Sequence, residues 1–127
     1  MFEKSHFNKH VLEVLKNKVW LGFSTGAQVL CRMPSGNLIK DVYGEELYGV
    51  ENYLNVFNFV VMPHAFEHDD TNPNGKNFKL CVAESKKCDC PIYVLTNYAA
   101  VVVDGDKTYM VGKGGRKLVK GKVVEEV

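Results

Sequence analysis

The last third of the chain limits the fold most tightly, because short apolar and β-branched runs alternate there with turn residues. The runs at residues 92–103, 108–111 and 118–124 have the length and composition of β-strands. Residues 78–83 form a similar run further upstream. Residues 104–107, Asp-Gly-Asp-Lys, have the composition of a tight turn between two strands. Short strands joined by short turns predict an antiparallel β-sheet.

Near the N-terminus the apolar residues follow a helical period instead. Over residues 5–17 they recur every three or four positions with lysines between them, which predicts an amphipathic helix. Residues 45–62 are also spaced as a helix, although their aromatic and β-branched content favours a strand. We expect a helix over at least the first half of that segment. The alternative is a helix that becomes a strand near Asn58.

Between these two segments the pattern alternates. Residues 27–33 change face at every position, as in a strand, and residues 34–37 are Pro-Ser-Gly-Asn. Residues 38–43 can return antiparallel, so we predict a hairpin here. The polar residues 63–77 are rich in Pro, Asn and Gly, and we expect them to form a long loop.

These elements predict one α+β domain over residues 1–127. In it, an N-terminal amphipathic helix and a second helical segment pack on an antiparallel β-sheet. The length of 127 residues and the 46% hydrophobic content suit a single core. A net charge of +1 provides no general attraction to nucleic acid or to an anionic membrane, so neither is an expected partner. Without a signal peptide or a spanning helix, we expect a cytoplasmic protein with four free thiols.

The two arginines are the strongest candidates for binding an anion. Fourteen of the sixteen basic residues are lysine, and only Arg32 and Arg116 carry the guanidinium fork that grips phosphate or carboxylate at two points. Arg116 follows Lys113, Gly114 and Gly115, where glycine amides could approach an anion closely. The loop therefore looks able to hold a phosphate. A lysine-rich surface hairpin with glycines at its turn is the alternative.

Further residues could contact the rest of a polar ligand. Ser24 and Thr25 lie between two apolar segments, where they could bind a ligand or simply form a turn. Asn97 and Tyr98 interrupt an apolar run and could pair with and stack on a nucleotide base. A strand that passes from buried to exposed surroundings would have the same composition. Phe78 is another candidate for stacking, with a place in the core as its alternative.

Metal binding and catalysis both receive less support from the spacing of the residues. His64 and His68 together with Cys88 and Cys90 include ligands that zinc accepts, but Cys-x-Cys is tighter than the usual zinc knuckle. We therefore expect no metal and no other cofactor. We assign no nucleophile elbow, no deaminase signature and no carboxylate pair, and nothing in the sequence brings a cysteine beside a histidine. A binding protein is therefore expected rather than an enzyme.

Two stretches carry a family resemblance: "WLGFSTGA" at residues 20–27 and "YGEELYGVENYLNVFN" at residues 43–58. They resemble the phage inhibitors of Thoeris defence, which sequester the cyclic ADP-ribose signal made by TIR-domain proteins. The resemblance implies a non-enzymatic oligomer that encloses a cyclic nucleotide, with arginines on the phosphates and an aromatic ring against the adenine. Arg32 and Arg116 fit the first role, while Asn97 with Phe78 or Tyr98 could fill the second.

The leading hypothesis is therefore a homo-oligomeric protein that binds a cyclic nucleotide immune signal without altering it, as an anti-defence protein of a phage. A ligand of that size is enclosed most easily where two subunits meet. The alternative from another class is a protein-interaction module that blocks a host or partner protein through residues 45–62 and the acidic loop that follows them. A zinc-stabilised or thiol protein is the third hypothesis.

Overall fold

The computed structural model describes residues 6–44, 46, 52–65 and 75–127. Within these ranges lie four helices: α1 (Phe7–Leu15), α2 (Thr25–Gln28), α3 (Gly36–Tyr43) and α4 (Lys76–Ser85). The same described residues contain six strands: β1 (Val60–Met62), β2 (Ile92–Val94), β3 (Ala99–Asp104), β4 (Lys107–Gly112), β5 (Arg116–Val119) and β6 (Lys122–Glu126). The predicted α+β class is confirmed.

The strands form two sheets, and one strand pair is parallel. The larger sheet has the order β1-β2-β5-β6, with β2-β5 and β5-β6 antiparallel. β1 and β2 run parallel, with Val60 opposite Ile92 and Met62 opposite Val94. β3 and β4 form a separate hairpin that closes between Asp104 and Lys107, so the turn predicted at residues 104–107 is confirmed. The larger sheet is therefore mixed, and its parallel pair places the carboxyl ends of β1 and β2 side by side.

The helical period of the N-terminal segment is confirmed by α1, whereas the predicted hairpin over residues 27–43 is wrong. The turn residues mark a helix start instead: Ser35 Oγ accepts a hydrogen bond from Leu38 N over 3.2 Å, which caps α3. Leu38 and Ile39 are buried, and Gly44 ends the helix in the left-handed conformation at φ 69°. Serine and glycine serve turns and helix ends alike, so their presence alone did not separate the two.

The strand predicted at residues 78–83 is also wrong, because these residues lie within α4. The buried side chains Phe78, Cys81 and Ser85 are spaced by three and four positions, which is a helical stripe. In the segment 45–62, residues 45 and 47–51 lie outside the described residues. The described part contains β1 at its end, so the alternative of a strand beyond Asn58 is the one the structure supports.

The long runs predicted as single strands are divided by sharp corners. Residues 92–103 form β2 and β3 with a corner at residues 95–98, and residues 118–124 form parts of β5 and β6. Lys120 and Gly121 both have positive φ, which turns the chain between β5 and β6. Residues 66–74 of the predicted loop lie outside the described residues, and α4 begins at Lys76.

Both faces of the larger sheet are covered. On one face α3 and α4 pack against the strands around a buried cluster: Leu38, Val60, Met62, Ala65, Phe78, Cys81, Cys90, Ile92, Val94 and Leu118. On the other face a second cluster joins the sheet to the β3–β4 hairpin: Cys31, Phe59, Val61, Tyr93, Leu95 and Met110. The carboxyl ends of β1 and β2 thus emerge from a packed core.

The segment before α2 is extended and largely uncovered. Val19, Leu21 and Phe23 alternate along it and are 94%, 77% and 77% exposed.

In the described part of the chain, no helix is both long enough and apolar enough to cross a bilayer.

The buried thiol of Cys81 makes the folded protein less stable as the pH rises into the alkaline range. Burial raises the pKa of this thiol to about 12, against about 8.5 in an unfolded chain. Because the folded-state pKa is the higher one, the stabilisation is complete below about pH 8.5 and is lost as the pH rises toward 12. We expect the free energy of unfolding in urea to fall steadily across that range.

A Cys81→Ala variant should lose part of this pH dependence, although it is less stable than the wild type at neutral pH. Val82→Ala, which shortens a neighbouring apolar side chain on α4 without removing an ionisable group, should keep the whole dependence. Equal slopes in the wild type and Cys81→Ala would contradict the assignment.

Candidate active site

Ser24 occupies a strained turn between the extended segment and α2. Its backbone has φ 51° and ψ −125°, a combination that residues with a side chain rarely adopt. The amides that follow are used inside the turn: Gly26 N donates to Phe23 O over 2.8 Å, and Ala27 N donates to Ser24 O over 2.9 Å. The side chain of Ser24 stands exposed at the tip.

The turn depends on close backbone approach at Gly22. A Cβ atom added there would overlap the carbonyl oxygen of Gly26 and lie 2.6 Å from its carbonyl carbon and 2.8 Å from Ala27 N. Only glycine fits this position. Residues 22–26 read Gly-Phe-Ser-Thr-Gly, which matches the G-x-S-x-G pattern of a nucleophile elbow. The prediction that the chain has no nucleophile elbow is therefore wrong, and the motif is visible in the residues alone.

Two hydrogen bonds fix the direction of α2 along β1. Gln28 Nε2 donates to Val61 O over 3.1 Å, and Arg32 N donates to Phe59 O over 2.9 Å. The chain from Gln28 to Arg32 therefore runs opposite to β1. Ser24 lies one helical turn before Gln28, whose side chain contacts Val61 in β1.

His64 follows the same end of β1 and forms a pair with Asn97. His64 Nδ1 and Asn97 Oδ1 are 2.6 Å apart, and both side chains are exposed. An amide oxygen can only accept, so Nδ1 carries the proton and Nε2 keeps the lone pair. Asn97 comes from the corner after β2, and Leu95 N donates to Met62 O over 3.0 Å to hold the two strand ends together. The geometry produces a histidine whose Nε2 can accept a proton.

A tyrosine hydroxyl supports the backbone next to His64. The His64 φ of 53° is unusual for a residue with a side chain. The hydroxyl of Tyr43, on α3, donates to Pro63 O over 2.5 Å. The hydroxyl of Tyr53 lies 3.4 Å from Gln28 Oε1, which ties a further segment to α2.

The arginines engage different carboxylates. Arg32 Nη1 lies 2.6 Å from Asp89 Oδ1 and 3.3 Å from Asn58 Oδ1 at the protein surface. Arg116 is buried; its Nη2 lies 3.1 Å from Glu126 Oε1, and its guanidinium carbon lies 5.2 Å from the centre of the Phe78 ring. Each guanidinium therefore already has a partner of its own within the chain.

The glycine loop is closed by backbone contacts. Gly114 N donates to Val127 O over 2.5 Å, and Val127 N donates to Gly115 O over 3.1 Å. Lys113 N donates to Tyr98 O over 2.9 Å, which connects this loop to the corner that carries Asn97. Of the residues predicted to bind a ligand, Ser24 and Thr25 lie in the elbow, and Asn97 contacts His64. Tyr98 follows Asn97 on the same corner and is exposed.

One group of possible metal ligands occurs in the described part of the chain. The ligand atoms of Cys88, Asp89 and Cys90 lie within 4.8 Å of one another, and the two sulfur atoms are 3.2 Å apart. Burial and the neighbouring Cys88 sulfur raise the pKa of the Cys90 thiol to about 12, and Asp89 is bound to Arg32. His64 is engaged by Asn97 instead, and His68 lies outside the described residues.

Comparison with known proteins identifies a family. The model of Peptidase family S51 matches residues 3–111 of this chain. Among solved structures, the chain is similar to a "Putative Peptidase E Protein" from Listeria monocytogenes EGD-e, with a TM-score of 0.58 and 21% sequence identity. The match covers 87% of this chain and 52% of that one, so this chain spans about half the length of the solved protein. No curated protein matches.

Proposed function

Since this chain belongs to Peptidase family S51, we propose that it hydrolyses peptide bonds, with Ser24 as the nucleophile and His64 as the general base. The observation that carries the proposal is the strained G-x-S-x-G turn, which exposes a serine one helical turn before the residue that contacts β1. His64 follows the end of that strand, and Asn97 engages its Nδ1.

The family membership corrects several expectations. Sequestration of a cyclic nucleotide, the anti-defence role and the expected absence of enzymatic activity are all wrong. The resemblance to Thoeris inhibitors rested partly on "WLGFSTGA", and this stretch contains the peptidase motif instead. A peptide replaces the cyclic nucleotide as the proposed ligand. We predicted a homo-oligomer because a site between subunits could enclose that nucleotide, and this prediction is withdrawn. The hypothesis of a protein-interaction module that blocks a partner protein is withdrawn as well.

The proposed reaction begins with proton transfer. His64 Nε2 takes the hydroxyl proton of Ser24 while Ser24 Oγ forms a bond to the carbonyl carbon of the peptide. The carbonyl oxygen of the peptide becomes an oxyanion, and the proposed donor that stabilises it is the backbone N–H of Thr25, the residue after the nucleophile. This amide donates to no backbone carbonyl among the described residues, unlike those of Gly26 and Ala27.

The later steps return the catalyst to its starting state. The carbon–nitrogen bond breaks as His64 gives its proton to the departing amine, which leaves an acyl group on Ser24. Water then loses a proton to His64 and attacks the acyl carbon, and Ser24 leaves with that proton. Asn97 accepts from Nδ1–H throughout, so it fixes the tautomer that leaves Nε2 free.

Covalent labelling with a fluorophosphonate tests the proposal without requiring a known substrate. The phosphorus should bond to Ser24 Oγ with loss of fluoride, and mass spectrometry of the digested protein should locate one label on that residue. Ser24→Ala should take up no label. His64→Ala should react at least about 100-fold more slowly, because the serine then lacks its base.

Ser35→Ala is the matched control, since it removes a serine hydroxyl at the cap of α3 and should leave labelling unchanged. A label on the Ser24→Ala variant at the wild-type rate would overturn the assignment.

We also propose a cytoplasmic location. The four cysteines, all free thiols, support it, because disulfides rarely persist in that compartment.

A further inference from the structure

The corner between β2 and β3 contains a buried hydroxyl group beside the residue that holds His64. Thr96 is 5% exposed, whereas Tyr98, two positions later, is 66% exposed. A buried hydroxyl normally has hydrogen-bond partners, and this one has two. Thr96 Oγ1 donates to Lys113 O over 2.5 Å and accepts from Tyr98 N over 3.2 Å. It therefore joins the corner to the loop that follows β4.

Other contacts hold the same corner from both sides. Ala99 N donates to Thr96 O over 3.4 Å, and Lys113 N donates to Tyr98 O over 2.9 Å. Gly112 has φ 99°, and a Cβ atom there would overlap the Tyr98 carbonyl oxygen. The backbone at Gly112 thus packs directly against the backbone of the corner, with no room for a side chain between them. Asn97 is the residue at the centre of this arrangement, and its side chain reaches His64.

We propose that Thr96 is a positioning residue for the His64–Asn97 pair. The proposal rests on the proposed function, in which His64 acts through Nε2. Thr96 touches neither the substrate nor the reacting atoms. Its hydroxyl fixes the backbone on either side of Asn97, and thereby keeps the amide oxygen 2.6 Å from His64 Nδ1.

The physical consequence concerns the tautomer of the histidine. Neutral imidazole carries its proton on either nitrogen, and the partner of Nδ1 decides which form prevails. When the corner is not fixed, Asn97 Oδ1 no longer holds the proton on Nδ1. A larger share of His64 then carries the proton on Nε2, where it cannot accept the serine proton. A displacement of about 1 Å can lower a catalytic rate by about 10²-fold.

Thr96→Val removes the hydroxyl and keeps the branched shape, whereas Thr96→Ser keeps the hydroxyl. We expect nitrogen chemical shifts of His64, measured by NMR on the folded protein, to show the Nδ1–H form in the wild type and in Thr96→Ser. Thr96→Val should show a mixture with the Nε2–H form. With a peptide substrate, Thr96→Val should lower kcat by about 10- to 100-fold, and KM should stay within about threefold of the wild-type value.

Thr108→Val is the control, because it makes the same change in the β3–β4 hairpin outside the corner, and it should leave the histidine spectrum unchanged. An unaltered tautomer in Thr96→Val would overturn the proposal; should that variant fail to fold, Thr96→Ala is measured in the same way. The histidine spectrum does not depend on peptidase activity. An inactive wild type with the expected spectra would therefore refute the proposed function and support the positioning role.

Discussion

Replacing Ser24 by alanine is expected to lower kcat for peptide hydrolysis by at least about 10⁴-fold, because the reaction loses the atom that forms the acyl intermediate. The loss should appear in kcat, since the groups that bind the peptide remain in place. Adding His64→Ala to this variant should cause little further loss, because the two residues act as one unit. Steady-state kinetics of the single and double variants would measure this. Additive losses would contradict a shared step.

Ser24→Gly provides a second measurement at the same position. Glycine accepts the positive φ of the elbow without strain, so we expect this inactive variant to be more stable than the wild type by up to about 1 kcal/mol. Urea denaturation would show it. A less stable glycine variant would indicate that the serine side chain contributes more to the fold than its backbone strain costs.

The second large effect is expected for Gly22→Ala. The added methyl group would overlap the backbone atoms of Gly26 and Ala27. Backbone atoms cannot move aside as the end of a flexible side chain can. Relief requires the elbow to open, which displaces Ser24. We expect the free energy of unfolding to fall by at least about 3 kcal/mol, and labelling of Ser24 to become undetectable in whatever remains folded.

Gly36→Ala is the matched control. A Cβ atom at Gly36 meets no atom of the described chain within 4 Å, so its unfolding free energy and its labelling rate should stay close to those of the wild type. Normal labelling in Gly22→Ala would show that the turn does not need the close approach seen here.

The parts of the fold that follow from local pattern were predictable. The apolar stripe of α1 and the Asp-Gly turn at Gly105 are complete within a few residues, and both are confirmed. The helix α3 was not predicted, because Ser35 and Gly36 suit a turn and a helix start equally well. In α4, β-branched and aromatic content suggested a strand, whereas the burial of Phe78 and Cys81 follows the helical period.

The candidate site shows the same division between local and distant information. The elbow around Ser24 is a local motif, and the sequence alone contains it; the hydroxyl was singled out, but as a ligand contact. His64 and Asn97 are separated by 33 positions. They meet because β1 and β2 are parallel neighbours, and that pairing depends on contacts across the whole chain rather than on nearby residues.

The hydrogen bonds that hold the corner before β3 also connect the His64–Asn97 pair to the end of the β3–β4 hairpin. Lys113, which directly follows β4, donates to Tyr98 O, and Tyr98 is the residue after Asn97. A change that separates Lys113 from this corner would therefore disturb His64 at a distance, while the turn around Ser24 kept its own hydrogen bonds.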